Sequence, residues 1–339
     1  MLPRLATSLL VQQLRTMIRI RRFEEALIRL AGEHDVGHFH VYIGQETTGV
    51  PALALLEDGD VAYTTHRNHG HLIARGVDPA RMLAEILGKA TGTNRGKGGT
   101  LHLASTEHGF PTTSSSVGGP LPIAVGSGYA FKERGLDRVS VCLFGDGALE
   151  EGAWHEAINI AAVWNLPVVF LCENNSLEAL GQKANEYPSS TLAAQRLTDL
   201  VRPFKVDASA VDGSDVAAVH RKMRRAVRRA RSGKGPSFIE TWTVRWPGSR
   251  PIWPQLVTGE TDLAFGWDAA LIPAAHADWF GRQDGLLRFL RELLAAQRVT
   301  REEVLDIDRA ARAEMAAAVR FALDSPYPAP EEALEDVFA

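Results

Sequence analysis

The residues that most invite chemistry are Asp146 and Asn175. Asp146 lies in Gly145-Asp146-Gly147, and Asn175 closes Glu173-Asn174-Asn175. A carboxylate and a carboxamide oxygen, brought together, are two of the hard ligands that Mg²⁺ accepts while keeping places for phosphate oxygens and water. Glycines on both sides of Asp146 let a ligand approach the backbone closely. An isolated Gly-Asp-Gly is also a common surface turn. The metal reading therefore depends on what flanks it.

What flanks it is one strand-helix-strand unit. Val139 to Phe144 is a short apolar run of the kind buried on both faces of a parallel sheet. Trp154, Ala157, Ile158, Ala161 and Ala162 then recur at helical spacing, with Glu150 and Glu151 expected in the first turn. Leu166-Pro167 stops that helix, and Val168 to Cys172 forms a second apolar strand. A right-handed crossover returns the chain parallel to its start, so Asp146 and Asn175 should meet outside the carboxyl ends of neighbouring strands.

Other segments offer further functional groups. An amphipathic helix is expected over 8–31 and another over 46–56, separated by the polar, aromatic stretch from Gly37 to Gln45. A short strand, 61–65, opens into His66-Arg67-Asn68-His69-Gly70-His71, too rich in basic and imidazole groups to be packing alone. Two polar loops, 88–99 and 112–119, are long enough to be functional. Helices are expected over 80–87 and 121–133, strands over 204–208 and 237–244, and a helix capped by Asp212 to Asp215 runs to Arg231. That helix carries Arg221, Lys222, Arg224, Arg225, Arg228, Arg229 and Arg231. With a net charge of −4 for the chain, its basic side reads as a solvated face rather than a nucleic-acid site. From Gly285 two helices lead to a proline-punctuated tail.

The 339 residues, 45% hydrophobic and 23% charged, describe an ordinary globular chain with a full core. Its two cysteines, Cys142 and Cys172, lie in the apolar strands and form no disulfide framework, which fits a reducing compartment. No apolar run reaches the length of a membrane helix, and the N-terminus lacks the pattern of a signal peptide. A cytoplasmic protein with no nucleic-acid or membrane partner is expected.

The Gly-Asp-Gly to Asn-Asn frame resembles the thiamine-diphosphate binding motif. With HVYIGQE at 40–46, HRNHGH at 66–71, GKGGTLH at 96–102, SGKGP at 232–236 and SPYPAPEEALEDVFA at the end, the chain resembles the alpha subunits of the first component of 2-oxo acid dehydrogenases. That family includes the pyruvate, branched-chain 2-oxo acid and acetoin dehydrogenases. The resemblance implies an α/β thiamine-diphosphate-binding fold: a mainly parallel sheet with helices on both faces and a C-terminal helical extension. The expected division is 1–250 for the cofactor-binding domain and 251–339 for a loop and helical extension packed on it.

It also implies roles. Asp146, Asn175 and the carbonyl of Leu177 would hold Mg²⁺, while Gly145 and Gly147 border the cofactor. Arg67 would clamp the diphosphate with its fork of donors, and His66, where the family usually has Tyr, would donate one further bond. Ser115 and Val117 match the loop that contacts the aminopyrimidine, and Leu180 the bulky residue that keeps the cofactor bent. His40 would face the thiazolium carbon as the catalytic imidazole, with His69 a second candidate; both also suit hydrogen-bonded structural roles. The family's activating glutamate comes from a separate beta subunit, which implies a two-alpha, two-beta heterotetramer, and a lipoyl acyltransferase is a further partner of its members.

One loop departs from the pattern. Where family members carry R-x-H-G-H-S, this chain has Arg245-Trp246-Pro247-Gly248-Ser249-Arg250. Both histidines are gone, Pro247 stiffens the loop, and Ser249 and Arg250 become the candidate substrate contacts. Trp253, Trp267 and Trp279 are candidates to line an altered pocket. A non-oxidative carboligase, acyloin-forming or transketolase-like, therefore stands as the alternative to an oxidative 2-oxo acid or acetoin dehydrogenase.

Overall fold

The computed structural model describes residues 5–175, 194, 196–245 and 260–335. Five parallel strands form one sheet, in the order β1-β2-β3-β5-β4: β1 is Val61–Tyr63, β2 Ser140–Gly145, β3 Val168–Asn174, β4 Asp207–Asp212 and β5 Ser237–Trp242. The α/β architecture with its C-terminal helices is the one expected. Parallel strands must be covered on both faces, and alternation along each strand provides two cores. From β2 and β3, Val141, Leu143, Val169 and Leu171 enter one core, while Cys142, Phe144, Val168, Phe170 and Cys172 enter the other. The second core is closed by α5 (Pro120–Glu133) and α6 (Gly152–Val163), with Trp154 buried among Phe144, Phe170 and Phe238.

The larger core lies on the opposite face. Here α1 (Thr7–Glu33), α2 (Glu46–Leu53), α3 (His69–Ala74) and α4 (Pro79–Ile86) join three later helices, α8 (Val216–Arg231), α9 (Gly285–Ala295) and α10 (Arg301–Asp324). A short α7 (Leu197–Val201) precedes β4. Two arginines of α1 are buried in this layer. Arg21 reaches Glu46 at 2.8 Å and Asp284 at 2.7 Å, and Arg22 reaches Glu25 and Asp308, both at 2.6 Å. Buried charges persist only when paired and hydrogen-bonded. These pairs therefore fix α1 against both the α2 start and the C-terminal helices.

Two local expectations are corrected. Glu150 and Glu151 do not begin the helix after Asp146: residues Asp146–Glu150 form a 3₁₀ turn, and Glu151 is the extended N-cap of α6. Gly147 and Gly152 lower helix propensity there, so the chain makes a tight turn before the apolar stripe begins. The strand expected at 204–208 lies at Asp207–Asp212, since Lys205 adopts a left-handed conformation (φ 57°) that ends a 3₁₀ turn at Arg202–Phe204. The basic residues of α8 are mostly exposed, but Arg231 bonds Asp60 at 2.6 Å and the carbonyl of Asp137 at 2.9 Å.

Candidate active site

Four strands end at one cleft. Just beyond the carboxyl ends of β1, β2, β3 and β5 come His66 and Arg67, Asp146, Asn175, and Arg245 respectively. This is where open α/β sheets place ligands. The cleft, about 200 Å³, is lined by these residues together with Gln45, Thr65, Ser114 to Gly118, Gly145, Gly147 and Glu173. A Cβ added to Gly145 or Gly147 would meet no protein atom within 4 Å, so the backbone there borders open space.

At the floor, Asp146 and Asn175 are both buried. Asn175 Oδ1 stands 2.9 Å from Asp146 Oδ1, while its amide nitrogen stands 2.6 Å from Arg245 Nε. Acceptor faces acceptor and donor faces donor. Turning the amide over converts both contacts into hydrogen bonds; a cation between the two oxygens removes the first repulsion differently. Cis ligands of an octahedral Mg²⁺ at about 2.0–2.1 Å lie about 2.9 Å apart. Among the described residues no three His, Cys, Asp or Glu side chains cluster as metal ligands, so a cation here would draw on Asn175, backbone and ligand oxygens.

Cations and neutral imidazoles line one wall. Arg67 is buried and donates to the carbonyl of Val41 at 2.7 Å. Burial, with Arg245 close by, holds its guanidinium well below the usual value, and Glu24 and Glu173 oppose that shift. Burial also lowers Arg245 to about 10, against the pull of Asp146 and Glu173. A guanidinium is not deprotonated in proteins at neutral pH, so both arginines are cations here. His40 is pushed down to about 3 by burial, then by Arg67, His66, His38 and Arg245, and His66 to about 4 by burial, Arg67, Arg245 and His38. Both imidazoles are thus neutral in the free protein. His40 Nδ1 lies 3.5 Å from Arg67 Nη2, an obligate donor, which leaves the N–H of His40 on Nε2, 3.2 Å from His38.

The loop bearing His40 is held from beneath. Glu24 Oε1 accepts from the backbone of Tyr42 at 2.8 Å, and Glu46 Oε2 accepts from Gly44 at 2.8 Å. Gly44 (φ +97°) cannot be replaced, since a Cβ would come within 2.1 Å of the carbonyl oxygen of Val244. The Tyr42 ring is wedged between Gly49 and Gly70, and its hydroxyl donates to Glu173. Glu173 is also 3.4 Å from His71, whose other nitrogen meets Thr64 at 2.7 Å.

Of the residues singled out in the sequence, His66, Arg67, Ser115, Val117, Gly145, Asp146, Gly147 and Asn175 line the cleft together. His40 stands behind the lining, its ring 4.5 Å from that of His66. His69 does not reach the cleft. It is fully buried between Glu24 (3.0 Å) and Thr100 (2.8 Å), with Phe23 against its edge. Trp279 packs against Gly44, and Trp267 lies under Arg301, so neither lines the cleft. Leu177, Leu180, Pro247, Ser249, Arg250 and Trp253 lie outside the described residues. Sequence reasoning assigned no role to Arg245, Glu173 or Gln45. An acid ending the apolar strand β3 was the available signal for Glu173, and motif membership for the other two: Gln45 lies in HVYIGQE, and Arg245 is the residue of R-x-H-G-H-S that this chain keeps.

Residues 15–249 match the family described as dehydrogenase E1 component. The chain belongs to that family. It is 37% identical over 326 residues to the alpha subunit of acetoin:2,6-dichlorophenolindophenol oxidoreductase of Bacillus subtilis, covering 95% of this chain and 91% of the relative. The same subunit of Cupriavidus necator is 38% identical over 327 residues, covering 96% and 92%. The pyruvate dehydrogenase E1 component subunit alpha of Zymomonas mobilis is 35% identical over 325 residues, covering 95% and 86%. The chain is accordingly an E1 alpha subunit, an enzyme component of the 2-oxo acid dehydrogenase type. No helix among the described residues is long and apolar enough to cross a membrane.

Proposed function

We propose that this chain is the alpha subunit of a thiamine-diphosphate- and Mg²⁺-dependent enzyme that oxidatively cleaves the carbon-carbon bond beside the carbonyl of acetoin or a 2-oxo acid. The observation that carries the reading is the convergence of Asp146, Asn175 and Arg67 at the carboxyl ends of three parallel strands. The donor set fits the cofactor. The Asp146 carboxylate and the Asn175 carboxamide meet at 2.9 Å, two side chains that can each give Mg²⁺ a hard oxygen, with the carbonyl of Leu177 as the third protein ligand, and Arg67 offers a buried guanidinium to phosphate.

Thiamine diphosphate, when bound, supplies a nucleophilic thiazolium carbon and an electron sink. This chain's residues do the rest. Arg67 neutralises and orients the diphosphate, assisted by His66. Ser115, Val117 and Leu180 border the ring system, and His40, neutral and released from its contact with His38, would offer its Nε2–H to the developing oxygen charge of the substrate. Ser249 and Arg250 are the candidate substrate contacts. A beta subunit supplies the activating glutamate, in a two-alpha, two-beta assembly.

The experiment is co-purification with the beta subunit, followed by calorimetric titration with Mg²⁺ and thiamine diphosphate and a dye-reduction screen over acetoin and 2-oxo acids. Binding by the pair together with reduction of the dye supports the reading; a pair that binds no cofactor refutes it. A second reading, a non-oxidative carboligase, is favoured by Pro247 and Ser249 in place of the family's loop histidines. Carbon-carbon bond formation without dye reduction would select it.

A further inference from the structure

The loop that carries His40 holds a second imidazole that the proposed reaction does not use. His38 is exposed, and its Nε2 lies 3.2 Å from the Nε2 of half-buried His40. The two rings stand 4.8 Å apart between centroids and nearly perpendicular, at 85°. Imidazoles joined by a straight N–H···N bond of that length would have centroids about 5.5 Å apart, since both ring axes then lie along the bond. Here the rings are closer, so their axes are bent away from that line. Two rings converging on one zinc ion at about 2.0–2.1 Å, with nitrogens at this spacing, would stand about 5.0 Å apart and subtend about 103° at the metal. That angle is close to tetrahedral, and the pair is already arranged much as a chelate would be.

We propose that His38 and His40 form a reversible inhibitory site for a transition-metal ion, zinc above all, distinct from the oxygen ligands at Asp146 and Asn175. Binding stands on this geometry alone, whereas inhibition rests on the role given to His40 above. Imidazole nitrogen suits zinc, copper and nickel, while Mg²⁺ takes oxygen, so the two positions select different ions. Among the described residues no group of three His, Cys, Asp or Glu completes a ligand set, and the remaining coordination positions go to water, as in open zinc sites. An ion on His40 Nε2 occupies the atom whose N–H would serve the substrate oxygen. Arg67 keeps the site weak. It repels a second cation, and its Nη2, 3.5 Å from His40 Nδ1, faces the nitrogen that must carry the proton once Nε2 holds a metal. That contact is at the outer limit of a hydrogen bond, so it lowers the affinity without closing the site. A weak site on a catalytic group is suited to reversible inhibition rather than to holding the fold together.

The test uses the untagged alpha–beta assembly with saturating Mg²⁺ and thiamine diphosphate. Zinc should slow dye reduction, and a chelator should restore the rate. Cu²⁺, added as a probe, should show two coordinated imidazole nitrogens by electron paramagnetic resonance. His38→Ala should raise the zinc concentration that halves the variant's own rate by at least about tenfold, the scale of losing one arm of a chelate, and should leave one imidazole in the copper spectrum. His34→Ala, which removes an exposed histidine four positions earlier, should change neither. Zinc inhibition unaffected by His38→Ala, or a copper spectrum that lacks a second imidazole in the unmodified assembly, overturns the proposal. Metal bound through His38 with the rate undiminished overturns the inhibition. An assembly that takes up no thiamine diphosphate fails the cofactor reading instead, and the copper spectra of the unmodified and His38→Ala assemblies then decide the metal site by themselves.

Discussion

Glu85→Gln replaces one side-chain oxygen by an amide NH₂ at constant size, and the loop from 88 to 99 should register the difference. Glu85 belongs to α4 and is fully buried. One carboxylate oxygen accepts from the backbone of Asn94 at 2.7 Å and Gly96 at 2.9 Å; the other accepts from Gly98 at 2.6 Å and Gly99 at 3.2 Å. The loop is thus wrapped around a single carboxylate, and Gly96 (φ +78°) and Gly99 (φ +55°) supply the left-handed turns that aim their N–H groups inward. Glutamine can keep two of the four bonds and must present a donor to the other two N–H groups. Bonds to a charged acceptor are worth about 1.5–3 kcal/mol each, so the loss should be about 3–6 kcal/mol, nearer the lower figure if water enters. The loop leads into Thr100, which accepts from Asn68 and meets His69, the residues directly after Arg67. Weaker pyrophosphate binding should therefore accompany the loss. Urea unfolding followed by tryptophan fluorescence measures the first effect. A loss under about 1 kcal/mol, the scale of one neutral hydrogen bond, would refute the idea that this carboxylate organises the loop.

Three other outcomes are expected. Asp146→Ala should abolish calorimetrically measurable uptake of Mg²⁺ and thiamine diphosphate by the assembled enzyme; affinity retained within about tenfold would remove Asp146 from the metal site. His69→Gln should lower stability by about 1–3 kcal/mol through the bonds to Glu24 and Thr100 with little change in kcat, whereas a stable variant slowed by about 100-fold would mark His69 as catalytic. The free protein should lose stability as pH falls from 6.5 toward 3, because the unfolded chain takes up protons that His40 and His66, at about 3 and about 4, refuse when folded. A double His40→Asn, His66→Asn variant should show a flatter acid limb in urea midpoints between pH 6.5 and 4, and identical slopes would contradict the burial of these rings among cations.

The parts of the site tied to strand ends were legible in the sequence. Gly145-Asp146-Gly147 and Asn175 follow apolar runs that alternate into two cores, so their meeting follows from a parallel crossover. Positions fixed by register or by contacts distant in sequence were not legible. Glu173 reaches the cleft because its strand pairs it with Gly145. Arg245 is placed by side-chain contacts at the strand ends, with Asn175 among them and Asp146 and Glu173 close by, and spacing does not encode such contacts. His69 lay in a basic-looking run, but α3 turns it inward, onto Glu24 of α1. Glu150 and Glu151 look like helix-starting residues, yet the glycines around them favour a 3₁₀ turn. Leu177, Leu180, Ser249 and Arg250 lie in segments 176–193 and 246–259, outside the described residues.

The buried arginines of the first helix also bear on how the chain is made. Arg21 and Arg22 are made long before the aspartates that complete their pairing, which lie 263 and 286 positions later. At about 5–20 residues per second, the wait for Asp284 is roughly 13–53 s. Until then the amphipathic helix can form but cannot lodge in the core without burying uncompensated charge. Its apolar stripe must stay accessible to a holding chaperone through most of translation. A ribosome that stalls before Asp284 would release a nascent chain whose opening helix has no place to go, and such fragments should be cleared by proteolysis rather than accumulate as folded domains.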